Sequence, residues 1–247
     1  MIFEYRIRAV FAPPEKGLFR NGGQKQMDSI KRELVGSGEV DLAGLADLPD
    51  THSVLRTSFD VSIAALILVL LAPLLATIAL MIRLDSRGPA LFRQTRTGLN
   101  GRTFLIYKFR TMHVQEDDAV VRQAQRGDSR LTGLGAILRK TSLDELPQLL
   151  NVLCGDMALV GPRPHALAHD SHYGALISNY RQRFAVRPGI TGWAQINGSR
   201  GATPEVADMR RRIDLDLWYV ENRSLALDLK ILVATALHIL PSRSDAY

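Results

Sequence analysis

Asp144 and Glu145 are adjacent carboxylates inside the stretch Lys140–Pro164, KTSLDELPQLLNVLCGDMALVGPRP. A carboxylate of this kind can attack phosphorus as a nucleophile or hold a hard cation through oxygen. Ser142 followed three residues later by Glu145 reads as a capping box, which predicts both acids in the first turn of a helix. There the helix dipole favours an ionised carboxylate and a nearby phosphate. Pro147 limits the register, since proline suits a first turn and disrupts a helix interior. Leu149 to Leu153 should bury, Gly155-Asp156 should turn, and Gly161-Pro162-Arg163-Pro164 should be rigid. Arg163, stiffened by prolines on both sides, offers a planar fork that matches phosphate bidentately. On local features alone, ordinary helix-start acids are the plainer reading of the pair.

Further groups have the right chemistry at other positions. Gly98 and Gly101 frame a hairpin turn, and Thr103 to Phe109 has the character of a strand. Lys108 and Arg110 are two apart, so on a strand they share a face, either as a solvated basic edge or as a grip on phosphate. His165 and His169 stand at i,i+4, but no clear third ligand or metalloprotease Glu supports zinc. Arg187 to Gly198, RPGITGWAQING, is a turn-rich loop in which Trp193 could serve as a core anchor.

The elements that must position these groups begin with Val61–Ile82, 22 residues without a charge. Crossing a hydrocarbon core takes about 20 helical residues, so this segment is long enough. Pro73 interrupts it and predicts a kink. Residues 82–112 hold seven Lys/Arg against one Asp, which places that flank in the cytoplasm. Residues 1–50 are Gly-punctuated and read as a loosely ordered extension, with one short strand expected over Ile2–Val10. Residues 115–135 read as a polar, mobile excursion. Towards the end, Leu225, Leu229, Leu232 and Ala236 share a helical face with Leu227, Ile231 and Ala234 beside it, which suits a helix lying on a membrane or on the core.

Charge narrows the partners. Residues 1–57 carry eight Lys/Arg and eight Asp/Glu, so the whole +6 excess lies in residues 58–247. That favours anionic headgroups or a nucleotide diphosphate. Aromatics are only 6% and do not interleave with basic residues, which disfavours nucleic acid. Cys154 is the single cysteine, so a disulfide framework is excluded; it is expected to be a small buried hydrophobe. Nothing at the N-terminus has the pattern of a signal peptide.

Taken together, the stretch K-x-S-L-D-E-L-P-Q-L-x-N-V-L-x-G-D-M-x-L-V-G-P-R-P resembles the signature of bacterial polyprenyl-phosphate sugar-phosphate transferases, the monotopic phosphoglycosyl transferases. The spacing G-P…F-x-Q-x-R-x-G-x-x-G…K-F-R-T-M, P-R-P-H-x-x-x-H and the block PGITGWAQING extend the resemblance over about residues 58–240. It implies an α/β fold: a small membrane-associated catalytic domain with one kinked, re-entrant membrane helix and interfacial amphipathic helices. The expected division is an extension over 1–57, the membrane helix over 58–83, the cytosolic catalytic domain over 84–240 and a tail over 241–247. The family helix breaks at Ser-Pro; here the pair is Ala72-Pro73.

The resemblance also implies a chemistry. A sugar-1-phosphate, best guessed as glucose-1-phosphate, would pass from a UDP-sugar to undecaprenyl phosphate on the cytosolic face of the bacterial inner membrane, initiating exopolysaccharide or another surface glycan. Asp144 would be the nucleophile that forms a covalent aspartyl intermediate, with Glu145 holding Mg²⁺. Lys108, Arg110, Arg163, Arg187, Trp193 and Gln195 would hold the substrates. The bilayer is the implied partner, with room for a homo-oligomer; the alternative is a non-catalytic membrane adaptor that keeps the fold.

Overall fold

The computed structural model describes residues 51–113, 128–201, 203 and 205–239. The expected extension over residues 1–50 and the tail over 241–247 lie outside them, as does most of the excursion expected over 115–135; its last residues, 128–135, are ordered and lead into a helix that starts at Gly133. Helix α1 runs over Thr51–Asp85, 35 residues, and carries Pro73 without interruption. Proline removes one backbone donor and crowds the preceding turn, which bends a helix without necessarily ending it. The Thr77 hydroxyl donates to the Pro73 carbonyl at 2.9 Å, a back-bond of the kind that accompanies bending.

Both flanks of α1 pack on the domain. Ala64 joins Val152, Tyr219 and Ile231 in one core cluster, while Ile78 and Ile82 join Phe109 and Leu138 in another. Between the two, Val69 and Leu70 are 74% and 67% exposed. The end of α1 is tied to the hairpin that follows: strands β1 (Leu91–Thr97) and β2 (Thr103–Phe109) pair antiparallel from Leu91↔Phe109 to Thr97↔Thr103. Asn100 (φ 54°) and Gly101 (φ 77°) supply the left-handed backbone its turn requires.

Helix α2 (Gly133–Thr141) starts on the Thr132 hydroxyl, which accepts from the Gly135 amide at 2.9 Å. The structure replaces the expected capping box at its far end. Ser142 is left-handed (φ 59°), terminates α2, and makes no side-chain cap. Asp144 and Glu145 therefore begin a tight 3₁₀ segment, Leu143–Gln148, before the short helix α3 (Leu149–Leu153). Pro147 has no amide to give, so an i→i−4 ladder cannot close through it. Cys154 follows α3 in a turn and is exposed, correcting the expectation that it is buried.

Strands β3 (Ala158–Val160) and β4 (Gly189–Thr191) pair in parallel. The pairing continues past β3: the Gly161 amide donates to Thr191 and the Gly189 amide to the Pro162 carbonyl. A Cβ on Gly189 would collide with the Gly161 backbone, so the Pro-Arg-Pro segment is seated by an approach only glycine permits. Helix α4 (Leu167–Leu176), a 3₁₀ turn at Tyr180–Ala185, helix α5 (Trp193–Ile196), helix α6 (Val206–Asn222) and helix α7 (Leu225–Ile239) complete the domain. Helices and strands thus build it together, as an α/β class requires. In α7 the buried side centres on Asp228 and Ile231, while Leu225, Leu229, Val233 and Leu237 face outward. The apolar stripe expected to form one face is divided between core and exterior.

Candidate active site

Asn151 sets the distance between the hairpin and the carboxylates. It is fully buried, donates to the Leu105 carbonyl at 2.7 Å and accepts from the Tyr107 amide at 3.0 Å. One side chain thereby pairs with β2 as a neighbouring strand would, and α3 docks with the 3₁₀ segment beside Lys108. An asparagine within the apolar run LLNVL was the one sequence signal for this role.

Glu145 is the hub. Lys108 Nζ donates to its Oε1 at 2.8 Å, Arg163 Nη1 donates to its Oε2 at 2.9 Å, and Arg163 Nη2 donates to Oε1. Burial opposes ionisation of Glu145, but Arg163 and Lys108 outweigh it and hold the group well below the usual carboxylate range. Asp144 goes the other way. It is 8% exposed, and burial followed by the charge of Glu145 pushes it up to about 6. Lys108, Arg139 and Arg163 pull it back towards ionisation. Arg139, which the sequence did not single out, donates to Thr111 at 2.9 Å and brings its charge to Asp144 from α2.

Two neighbouring carboxylates held in opposed ionisation have separable roles. Glu145 is locked and anionic, while Asp144 keeps its oxygens out of any ion pair among the described residues. Sequence reading put the metal on Glu145; the structure gives both of its oxygens to cations.

Behind Arg163 lies a buried polar brace. Arg183, 2% exposed, donates to the Arg163 carbonyl at 2.6 Å and twice to Asp216, at 2.7 and 3.1 Å. Its third nitrogen donates to His165 Nδ1 at 2.8 Å, so that nitrogen carries no proton. Burial, then Arg183, hold His165 neutral, far below its ordinary range. Tyr180 donates to Asp170 at 2.7 Å, and Thr97 donates to the other oxygen of Asp170 at 2.6 Å. His165 is therefore engaged in the brace, and no third ligand joins it and His169 in a metal site among the described residues.

The other sequence candidates fall elsewhere. Arg110 points its guanidinium at the end of α1, donating to the carbonyls of Arg87, Ile82 and Ser86 at 2.9, 3.2 and 2.7 Å. It neutralises the negative end of that helix and is not part of the carboxylate cluster. Arg187 donates to Thr57 at 2.9 Å, at the start of α1. Trp193 stacks on Trp218 with centroids 4.5 Å apart, and Gln195 donates to the Ile190 carbonyl at 3.0 Å. Lys108, Asp144, Glu145 and Arg163 come together; Arg110, Arg187, Trp193 and Gln195 stand apart from them.

A carboxylate of raised basicity among cations, in a chain with one helix long and apolar enough to cross a membrane, fits the class of group transferases that handle phosphates. A family model described as bacterial sugar transferase matches residues 51–242, and the chain belongs to that family. It is 58% identical over 188 residues to a UDP-glucose:undecaprenyl-phosphate glucose-1-phosphate transferase of Caulobacter vibrioides, covering 76% of this chain and 70% of the relative. It is 48% identical over 198 residues to the Escherichia coli protein of the same name, covering 79% of this chain and 43% of that relative. Exopolysaccharide production protein PSS of Rhizobium leguminosarum is 48% identical over 186 residues, 74% of this chain and 93% of its own length.

Proposed function

We propose that the protein transfers glucose-1-phosphate from UDP-glucose to undecaprenyl phosphate and so initiates an exopolysaccharide. The single observation that carries this reading is the meeting of Asp144, Glu145, Lys108 and Arg163, with Glu145 paired to both cations and Asp144 outside any ion pair among the described residues; the names of the relatives supply the sugar and the lipid.

The chemistry proceeds in two displacements. An Asp144 oxygen attacks the phosphorus that bears the sugar, the bond from that phosphorus to the UMP oxygen breaks, and UMP leaves with the electron pair. A phosphate oxygen of the acceptor then attacks the same phosphorus, and the Asp144 carboxylate departs restored. Arg163 and Lys108, held by Glu145, offer fixed positive charge for the equatorial oxygens in both steps. Arg139 supports the ionised form of Asp144.

Mg²⁺ fits this donor set through one carboxylate. Asp144 would hold it, with substrate phosphate oxygens and water as the remaining ligands, the usual arrangement for this cation. When bound it would neutralise diphosphate charge. Glu145 would then act as the anchor of Lys108 and Arg163.

Helix α1 enters and leaves one leaflet on this reading. Its first turns carry Arg56, paired with Asp228 at 3.5 Å, and its last turn receives Arg110. Polar contacts at both ends to one folded domain support a helix whose ends share a side of the membrane, and the seven Lys/Arg against one Asp over residues 82–112 favour the cytosolic side.

The test is turnover by the purified full chain with undecaprenyl phosphate and a panel of UDP-sugars. UMP release with UDP-glucose is expected, together with a hexose-phosphate adduct in intact-mass spectra when the acceptor is omitted. A chain that forms the adduct with no UDP-sugar overturns the two-step reading.

A further inference from the structure

Arg96 has no ion-pair partner among the described residues, although it stands beside Arg163 and Glu145. Paired residues on neighbouring strands share a face, so Arg96 with Phe104, Gln94 with Ile106 and Phe92 with Lys108 all look the same way. Ile106 is 1% exposed in the core cluster that includes Leu149 and Val152, so this is the face on which α3 and the carboxylate segment dock. Arg96 also bridges in antiparallel fashion to Ala166, three residues beyond Arg163, and β1 thereby runs alongside the Pro-Arg-Pro segment.

The acids whose charge reaches Arg96 are committed elsewhere. Asp170 accepts from Tyr180 at 2.7 Å and from Thr97 at 2.6 Å, and Glu145 gives both oxygens to Lys108 and Arg163. Arg96 Nη2 donates instead to Gln94 Oε1 at 2.5 Å, a neutral partner that orients the guanidinium without cancelling its charge. Its Nε is buried and donates to nothing among the described residues. Burial, then the charge of Arg163, lowers its pKa to about 10, which leaves it a cation at neutral pH. A desolvated guanidinium with an idle donor, next to a second arginine, matches an anion that arrives from outside the chain.

Position says which anion. Arg96 lies opposite Phe104, four residues along β2 from Lys108, a separation of about 13 Å. Asp144 belongs to the Lys108 end, where the cations acting on it are Lys108, Arg139 and Arg163. Arg163 acts on both Asp144 and Arg96 and so stands between them. A donor diphosphate whose sugar-bearing phosphorus meets Asp144 then extends its second phosphate past Arg163 to Arg96.

We infer that Arg96, oriented by Gln94, receives the leaving group of the first displacement. As Asp144 bonds to the sugar-bearing phosphorus, the bond from that phosphorus to the bridging oxygen breaks. That oxygen keeps the electron pair, and Arg96 neutralises the charge that UMP gains. The assignment rests on the transferase reading for its substrate.

UMP departs before the acceptor reacts, so Arg96 should serve one half of the reaction only. In the purified full chain, Arg96→Ala should slow adduct formation from UDP-glucose by about tenfold to a hundredfold. Adduct formed over a longer incubation and freed of nucleotide should pass to undecaprenyl phosphate at the parent rate. Equal slowing of both steps, or of neither, overturns the assignment. Gln94→Glu leaves Arg96 in place but pairs it with a carboxylate; it should weaken UMP binding by about tenfold in calorimetry, with no fall in melting temperature. Unchanged affinity for UMP in this variant overturns the assignment as well. If the parent chain forms no adduct with any UDP-sugar, the transferase reading falls, and the UMP affinities of the parent and of Gln94→Glu still decide whether Arg96 holds a nucleotide phosphate.

Discussion

Arg183 donates to the backbone carbonyl of Arg163 at 2.6 Å with the same nitrogen that reaches Asp216 at 2.7 Å. The arginine that would grip phosphate is therefore held at both ends. Glu145 fixes its guanidinium, and a second arginine, anchored on α6, fixes its backbone. Arg183→Lys should lower kcat/KM by about tenfold to a hundredfold, because lysine cannot donate to Asp216, His165 and Arg163 together. The diagnostic measurement is a double-mutant cycle. Arg163→Lys/Arg183→Lys should be no worse than the poorer single variant, as expected of residues that act as one unit. Additive losses would show that Arg183 acts elsewhere.

Arg163→Lys keeps the charge and loses the bidentate fork to Glu145. A charge-assisted hydrogen bond contributes roughly 1.5–3 kcal/mol, so kcat/KM should fall by about one to two decades. Unchanged kinetics with UDP-glucose would make Arg163 a structural residue only.

Asp144, pushed up to about 6, predicts two pH effects of definite sign. Adduct formation should decline as pH falls through about 6, because the carboxylate is protonated. Stability runs oppositely: a carboxyl whose folded pKa lies above its unfolded value favours the fold at low pH and loses that contribution as pH rises. Asp144→Asn should therefore match the parent chain near pH 4 and be more stable above pH 6, by about 1–3 kcal/mol. Thermal melts from pH 4 to 8 would measure it; a variant less stable than the parent at pH 7.5 contradicts the assignment.

Topology is open to chemical labelling. With Cys154 replaced, single cysteines at Ser29 and Ser242 should both resist an impermeant maleimide in intact cells and react once the membrane is opened. Labelling at position 29 alone would mean that α1 spans. Helix α1 runs through Pro73 unbroken, and the 22 residues of Val61–Ile82 would reach about 33 Å against a core of about 30 Å, so the labelling decides whether packing at both ends holds the helix in one leaflet.

Much of this arrangement was legible in the residues. The hairpin followed from Gly98 and Gly101, β2 from Thr103 to Phe109, and the meeting of Lys108, Asp144, Glu145 and Arg163 from a long matched signature. Two readings failed for tertiary reasons. Lys108 and Arg110 alternate correctly, but the strand ends between them at Phe109, and Arg110 turns to the carbonyls of α1. Ser142 has the right spacing for a capping box, yet it must close α2 before it could open another helix. Asn151, Arg183 and Asp216 were missed because single polar residues in apolar or basic surroundings carry no periodic signal. Only the partners they meet across the fold reveal their work.

Helix α1 carries a consequence for how this enzyme can be handled. Ala64 is fully buried, and Ile78 and Ile82 are 5% and 2% exposed, all against the domain rather than free for lipid. The anchor is therefore also a load of core side chains. Cutting the chain after residue 85 to obtain a soluble catalyst would strip one wall from two hydrophobic clusters and leave Phe109, Leu138 and Ile231 facing water. Solubility would have to come from redesigning that wall.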